Sequence, residues 1–219
     1  MLPSSLWADA SNVARVDALL LSTCGASPLS MRLSPATPSA SVTVRTDAGG
    51  NVLSPTTDPA IWTALAARPV QLPSVAPRSA CPTSSFATLP GSATGPGAGA
   101  GPIYPVVGAT AIGLGPPDTE GLRGGKVLWA ARPDYTGVAL IRGRRLDGAG
   151  DVQFLPRLSA LRFEENTRVT AGTATDGSAI RWRHLPSTVF VPAPGCYGFQ
   201  IDAPTWTATV VLTAVEAAR

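Results

Sequence analysis

Histidine and lysine are almost missing from this chain: His184 is its one histidine and Lys126 its one lysine. A single imidazole is too few for the usual His/Cys zinc sets. Any Ser-His-Asp or Cys-His chemistry would have to run through His184, and no Gly-x-Ser-x-Gly elbow supplies a nucleophile for it. Its surroundings, Arg181-Trp182-Arg183-His184-Leu185-Pro186, read as the end of a strand, where an imidazole usually caps or faces solvent. No Cys-x-x-Cys occurs. Charged residues make up only 14%, against about 25% in soluble domains. No apolar run approaches the ~20 residues of a membrane-spanning helix.

What the chain has in quantity is glycine and proline, 22 of each in 219 residues. That is about one residue in five, well above the average of roughly 12%. With 44% hydrophobic residues there is enough apolar material for a core, so the composition points to a loop-rich β protein rather than a disordered chain. The formal charge is +3 and nearly all the basic residues are arginine. They are scattered from Arg15 to Arg219 rather than clustered in a stripe, which argues against a nucleic-acid surface.

Three cysteines remain to be placed. Cys81 lies in Ser79-Ala80-Cys81-Pro82-Thr83-Ser84 and Cys196 in a Pro/Gly turn, Pro192-Ala193-Pro194-Gly195-Cys196-Tyr197. A Cys81–Cys196 disulfide is expected if the chain is exported, and two buried free thiols if it stays in a reducing compartment. Cys24 is the odd cysteine. It follows Ala18-Leu19-Leu20-Leu21-Ser22-Thr23 and precedes Gly25-Ala26-Ser27-Pro28. This resembles a bacterial lipoprotein lipobox, which implies lipid attachment at Cys24, removal of residues 1–23 and peripheral attachment to a membrane. Thr23 is unusual before the cysteine, and Asp17 interrupts an apolar run already short for a signal peptide. The competing reading is an amphipathic helix with Val13, Val16 and Leu20 on one face.

Three regions follow: 1–38 as leader and Ser/Pro-rich tether, 39–102 as an N-terminal arm, and 103–219 as the main domain. In the arm, Ser41–Arg45 and Asn51–Ser54 flank Asp47-Ala48-Gly49-Gly50 as a candidate hairpin. Asp58-Pro59 opens a helix, with Asp58 as N-cap and Pro59 at the first helical position. Ile61, Trp62 and Leu65 share a face, and Pro69 ends the helix near Arg68. Two to three turns do not stand alone in water, so Trp62 is expected to dock on a sheet. Gly91–Gly101 reads as a flexible loop, since no Lys-Ser/Thr follows it as a phosphate loop would require.

The main domain is a succession of short strands: Lys126–Ala131, Val138–Leu146 with Gly143 at a bulge or close approach, Val152–Leu155, Leu158–Phe163, Arg168–Thr173, Ile180–His184, Val189–Val191, Cys196–Ile201 and Thr207–Val215. Turn residues separate them and no amphipathic helix intervenes, so an antiparallel sandwich or barrel is expected. The turn Val191–Tyr197 resembles the entry to the penultimate strand of immunoglobulin-like and fibronectin-like sandwiches. That resemblance implies a tyrosine corner, with the Tyr197 hydroxyl bonding back to the turn. Over residues 68–215 the motifs Arg68-Pro69-Val70-Gln71-Leu72-Pro73, Cys81-Pro82-Thr83-Ser84, Lys126-Val127-Leu128-Trp129 and Pro194-Gly195-Cys196-Tyr197 are similar to uncharacterised exported bacterial proteins, often described as hypothetical lipoproteins. This implies an extracytoplasmic location and an immunoglobulin-like sandwich, and carries no catalytic residues with it.

The expected function is therefore a non-enzymatic envelope module without cofactor or metal, whose partner is an envelope protein or a glycan. The candidate binding residues are Arg142, Arg144, Arg181, Arg183 and Trp206. The arginines flanking Gly143 and Trp182 would form a basic-aromatic face for anionic polysaccharide or headgroups. The plainer alternative is the wet face of an amphipathic sheet, with Leu140 and Trp182 packed inward. A carbohydrate-binding module using Trp206 and Trp182 is one rival. A hydrolase with a carboxylate pair is the other, but Glu164 and Glu165 are adjacent on the chain and point apart. Asp147 and Asp151 have a calcium-compatible spacing without the distal Glu, so a β-turn is the stronger reading.

Overall fold

The computed structural model describes residues 45–46, 52–53, 57–76, 79–92, 94–165, 167, 169–173 and 179–217. Cys24, the lipobox-like stretch and the tether lie outside the described residues. The chain divides into two compact units, Met1–Val52 and Leu53–Arg219. Strands β1 (Arg45–Thr46) and β2 (Val52–Leu53) form a two-stranded sheet, the described part of the expected hairpin. The larger unit spans both the segment from residue 53 to 102 and everything after it.

That unit is mainly β. It contains one helix among the described residues, α1 (Pro59–Ala66), and strands β3 (Phe86–Ala87), β4 (Gly97–Ala98), β5 (Ile103–Val106), β6 (Ala111–Pro117), β7 (Arg123–Ala131), β8 (Ala139–Arg145), β9 (Gln153–Phe154), β10 (Leu161–Phe163), β11 (Val169–Thr173), β12 (Ala179–Val191), β13 (Gly195–Asp202) and β14 (Thr207–Glu216). They build an open mixed sheet in the order β10-β8-β13-β14-β6-β7-β5-β4-β3. Strand β12 runs along the whole of β7, and β11 and β9 pair with β12. Strands β5 and β6 share the other edge of β7, one at each end. Every pairing is antiparallel except that of β14 with β6.

Alternation decides what goes inside, because successive strand residues face opposite ways. Val127, Trp129 and Ala131 of β7, Val189 and Val191 of β12, Tyr197, Phe199 and Ile201 of β13, and Val210 and Leu212 of β14 converge in the main core. Trp129 is fully buried, edge-on to Phe199, and donates its indole N–H to Ser187 Oγ at 3.1 Å. Gly143 sits where a Cβ would lie 2.8 Å from Val152 and 3.0 Å from Phe199, so the close approach expected there is real. The helix is as expected: Asp58 Oδ1 accepts the Ala60 N–H at 2.9 Å, and Trp62 and Leu65 pack on Val138 and Leu140.

Besides His184, read as capping or facing solvent at a strand end but 6% exposed within β12, three expectations need correction. Ile180–His184 and Val189–Val191 are one continuous strand, β12, which passes straight through Pro186. Pro186 falls between the β11 pairing, which ends at Arg183, and the β9 pairing, which starts at Val189. A missing N–H is tolerated where one edge has no ladder partner. The glycine-rich stretch is not a free loop, because Gly97 and Ala98 are buried and form β4. A Cβ on Gly97 would meet Tyr104 Cβ at 2.6 Å, so glycine here lets two backbones close. The third concerns β12, where Trp182 was expected inward and Arg183 wet. Arg183 instead turns toward the main core, and Trp182 lies on the other face in a separate cluster with Leu89, Tyr104, Val106 and Ala130. The N-terminal arm covers that outer face, which alternation alone could not reveal.

Candidate functional site

The five candidate binding residues do not form one surface. Arg142 and Arg144 lie on β8, whereas Arg181 and Arg183 lie on β12, on the far side of β7 in the strand order. Arg144 is exposed and pairs with Asp151 at 3.5 Å. Arg181 is exposed at the start of β12. The other two arginines are taken up inside the structure.

Arg142 is 14% exposed and its Nη2 donates to Asp202 Oδ2 at 2.6 Å, while its Nη1 donates to the carbonyls of Arg68 (2.8 Å) and Ala66 (3.3 Å). Asp202 is fully buried and also accepts from Gln200 Nε2 and Thr207 Oγ1. Gln200 completes the network by donating to Pro69 O and accepting the Gln71 N–H. Leu72 then packs against Gly198. The network straps the end of α1 and the extended segment after it across β8 and β13.

Arg183, only 8% exposed, is the second knot. Its Nη2 donates to Tyr135 O at 2.7 Å and Gly137 O at 2.8 Å, and its Nη1 to Glu164 O at 3.1 Å and Glu165 O at 3.3 Å. Its guanidinium also lies over the rings of Phe163 and Tyr135, at 5.1 and 5.6 Å. Burial holds its pKa below the ordinary arginine value, and Tyr135 and Glu165 act against that shift. One side chain thus gathers the β7–β8 and β10–β11 connections against β12. Arg183→Leu is expected to lower stability by at least about 1–3 kcal/mol, the cost of one buried acceptor left unpaired. Equilibrium denaturation of the folded variant checks this.

The β7–β8 connection carries the aromatic cluster closest to a recognition surface. Tyr135 and half-buried Trp206 meet edge-on with centroids 5.4 Å apart, and the Tyr135 hydroxyl donates to Val138 O at 2.7 Å. Burial raises the Tyr135 pKa to about 12, against the pull of Arg183 and Trp206. Trp182, the other tryptophan weighed as a sugar platform, is 3% exposed and donates its indole N–H to Pro90 O.

At the opposite turn, Cys81 and Cys196 form a disulfide with Cα atoms 5.4 Å apart across a sequence separation of 115. Tyr197 is buried, and its hydroxyl donates to Ala193 O at 2.6 Å, the back-bond expected of a tyrosine corner. Asp147 braces the same turn, accepting from Arg145 Nε at 2.7 Å and from the Cys196 N–H at 3.1 Å. Burial alone would raise the Asp147 pKa, but the Arg145 bond and the Cys196 N–H outweigh it and hold the value below 3.8. A carboxylate depressed in this way stabilises the fold above its unfolded value. That contribution is lost as pH falls through the folded value. Asp147→Asn is therefore expected to be less stable than the parent near neutral pH and to differ little from it in strong acid. Denaturant midpoints at the two pH values measure the difference.

The two calcium-spaced carboxylates are occupied separately, Asp147 with Arg145 and Asp151 with Arg144. Among the described residues no group of three or more His, Cys, Asp or Glu side chains could hold a metal ion. Among the described residues, a cleft of about 420 Å³ lies beside the Arg123–Glu216 pair and another of about 240 Å³ beside Lys126 and Leu128. Neither brings together a nucleophile, a base and an orienting group. No described helix is long and apolar enough to cross a membrane. No family model matches the chain, and neither does any curated protein or solved structure.

Proposed function

We propose that this chain is a non-catalytic module of the cell envelope, exported and built as an immunoglobulin-like sandwich, with Cys24 as its lipid-bearing residue. The observation that carries the reading is the Cys81–Cys196 disulfide, which fixes the arm to the last hairpin and belongs to an oxidising compartment. Strand pairing supports the sandwich. Strands β5, β7, β12 and β11 follow one another as one layer would, and β6, β14, β13, β8 and β10 as the other. The parallel pairing of the last strand with β6 and the Tyr197 back-bond fit the same plan. Arg142 and Arg183 hold backbone in place, which favours a scaffold over a catalyst.

The test is an intact mass of natively expressed protein, alkylated without and with prior reduction. A chain beginning at an acylated Cys24, with Cys81 and Cys196 labelled only after reduction, is the expected result. A full-length chain with three free thiols would overturn the reading.

A glycan partner is the more specific version, favoured by the Tyr135–Trp206 pair at the loop end. Trp206→Ala is expected to abolish binding on a glycan array. A blank array for the parent protein would remove this version.

A further inference from the structure

Strand β14 contains the sequence Thr207-Ala208-Thr209-Val210-Val211-Leu212-Thr213-Ala214-Val215, nine residues without a charge, a proline or a glycine. Such a segment pairs readily with its own kind when its edge is bare. One edge of β14 lies against β13. The other is taken by β6 only from Thr213 onward. Ahead of that the arm closes it: the Ser84 N–H donates to Val211 O and the Val211 N–H donates to Ser84 Oγ, both at 2.9 Å. Ser84 thus imitates a neighbouring strand with one backbone group and one side chain. Residues 79–85 bury no side chain fully, and besides Ser84 the segment is held at its far end by the Gly99 N–H to Ser85 O bond and the β3–β4 pairing that follows. Three residues away, the Cys81–Cys196 bond locks that segment in place.

We propose that the Thr207–Leu212 edge is a self-association surface for a second copy of this chain, latched shut by the arm and unlatched by reduction of the disulfide. The second copy is the occupant because the strand is complementary to itself. Val211 turns its N–H and C=O away from β13, so Thr207 and Thr209 do the same along the pleat. An antiparallel pairing with Thr209 on the two-fold axis sets Thr209 against Thr209 and Val211 against Thr207 of the second copy. It closes as a symmetric dimer and makes no open chain. Unlatching needs a dithiol reductant. One of its thiolates attacks Sγ of Cys81, the partly exposed sulfur, and Cys196 Sγ leaves as a thiolate and takes a proton. The reductant's second thiol then resolves the mixed disulfide, leaving two protein thiols and an oxidised reductant.

The experiment uses the full chain with Cys24, Cys81 and Cys196 all replaced by serine, alone and with Thr209→Cys added. Size-exclusion chromatography with light scattering is expected to find a dimer for the cysteine-free chain and a monomer for the oxidised parent. Thr209→Cys is expected to cross-link nearly completely under mild oxidation, because directly opposed residues of a hydrogen-bonded pair lie about 5.5 Å apart, inside the disulfide range. Thr213→Cys, on the stretch held by β6, is expected to cross-link at least tenfold less. Thr209→Lys is expected to return the cysteine-free chain to a folded monomer. A folded monomer without the cysteines, equal cross-linking at both positions, or an open aggregate would overturn the proposal. So would a cysteine-free chain that is unfolded, since the surface requires a sheet that stands without the latch. The intact-mass test of export is independent of every one of these outcomes.

Discussion

Replacing Cys81 and Cys196 together with serine is expected to lower the free energy of unfolding by about 4–5 kcal/mol, the chain-entropy value for a closed loop of this length. The bond spans 115 residues, so it removes a large set of extended conformations from the unfolded chain. The Cys196 turn itself is expected to change little, because Asp147 and the Tyr197–Ala193 bond already brace it, and without the disulfide this part of the arm is left on β14 by the two Ser84–Val211 bonds. Those two Ser84 bonds contribute only about 0.5–1.5 kcal/mol each, so the covalent bond dominates the attachment of this part of the arm. A domain of ordinary stability, roughly 5–15 kcal/mol, survives the loss with a much smaller margin. Guanidinium unfolding monitored at Trp129 and Trp62 measures it. A dithiol added to the parent should reproduce the shift and leave the double variant unmoved. A shift under about 1 kcal/mol would mean that the unfolded chain is already compact around these cysteines.

The sequence was most informative where a local rule met a local structure. Asp58-Pro59 marked the helix start, and Pro69 bounded its end. The Pro/Gly turns marked most strand ends, and Gly143 its close approach. The cysteine pair could be expected from compartment arguments, and Tyr197 from its place after Pro194-Gly195. The arginines were misread for a physical reason. Alternation tells which residues share a face of a strand but not what covers that face, and Leu89 of the arm together with Tyr104 of β5 covers the outer side of β12. Trp182 is therefore buried on the outer side, while Arg183 enters the core end where four carbonyls from two connections await its guanidinium. No periodicity in the chain encodes that. Glu164, Glu165, Tyr135 and Gly137 contribute carbonyls, and backbone acceptors leave no trace in residue type. Pro186 misled in the same way, because its tolerance depends on which edge of β12 lacks a partner.

The buried network around Asp202 yields the other large effect. Asp202→Ala is expected to cost about 3–5 kcal/mol, the range for breaking one side of a buried ion pair. Asp202 is fully buried and is the one carboxylate on Arg142. Its removal leaves a guanidinium at 14% exposure with two carbonyls and no counter-charge. It also takes an acceptor from Gln200 Nε2 and Thr207 Oγ1. The carbonyls of Ala66 and Arg68 remain for Arg142, which places the expected value toward the lower end. Removing both charges is expected to hurt less than removing one. Arg142→Met with Asp202→Leu replaces the pair with apolar bulk, an exchange that is often neutral or stabilising. The double-mutant cycle therefore separates the attraction within the pair from the cost of orphaning a charge. A structural readout accompanies the energetic one, because Arg142 and Gln200 are what fasten residues 66–71 over β8 and β13. Amide exchange in α1 and at Gln71 is expected to accelerate in Asp202→Ala well beyond any change at Trp129 or Phe199. If exchange rose uniformly instead, the network would be one more contributor to global stability, and the strap would be held by Trp62 and Leu65 alone.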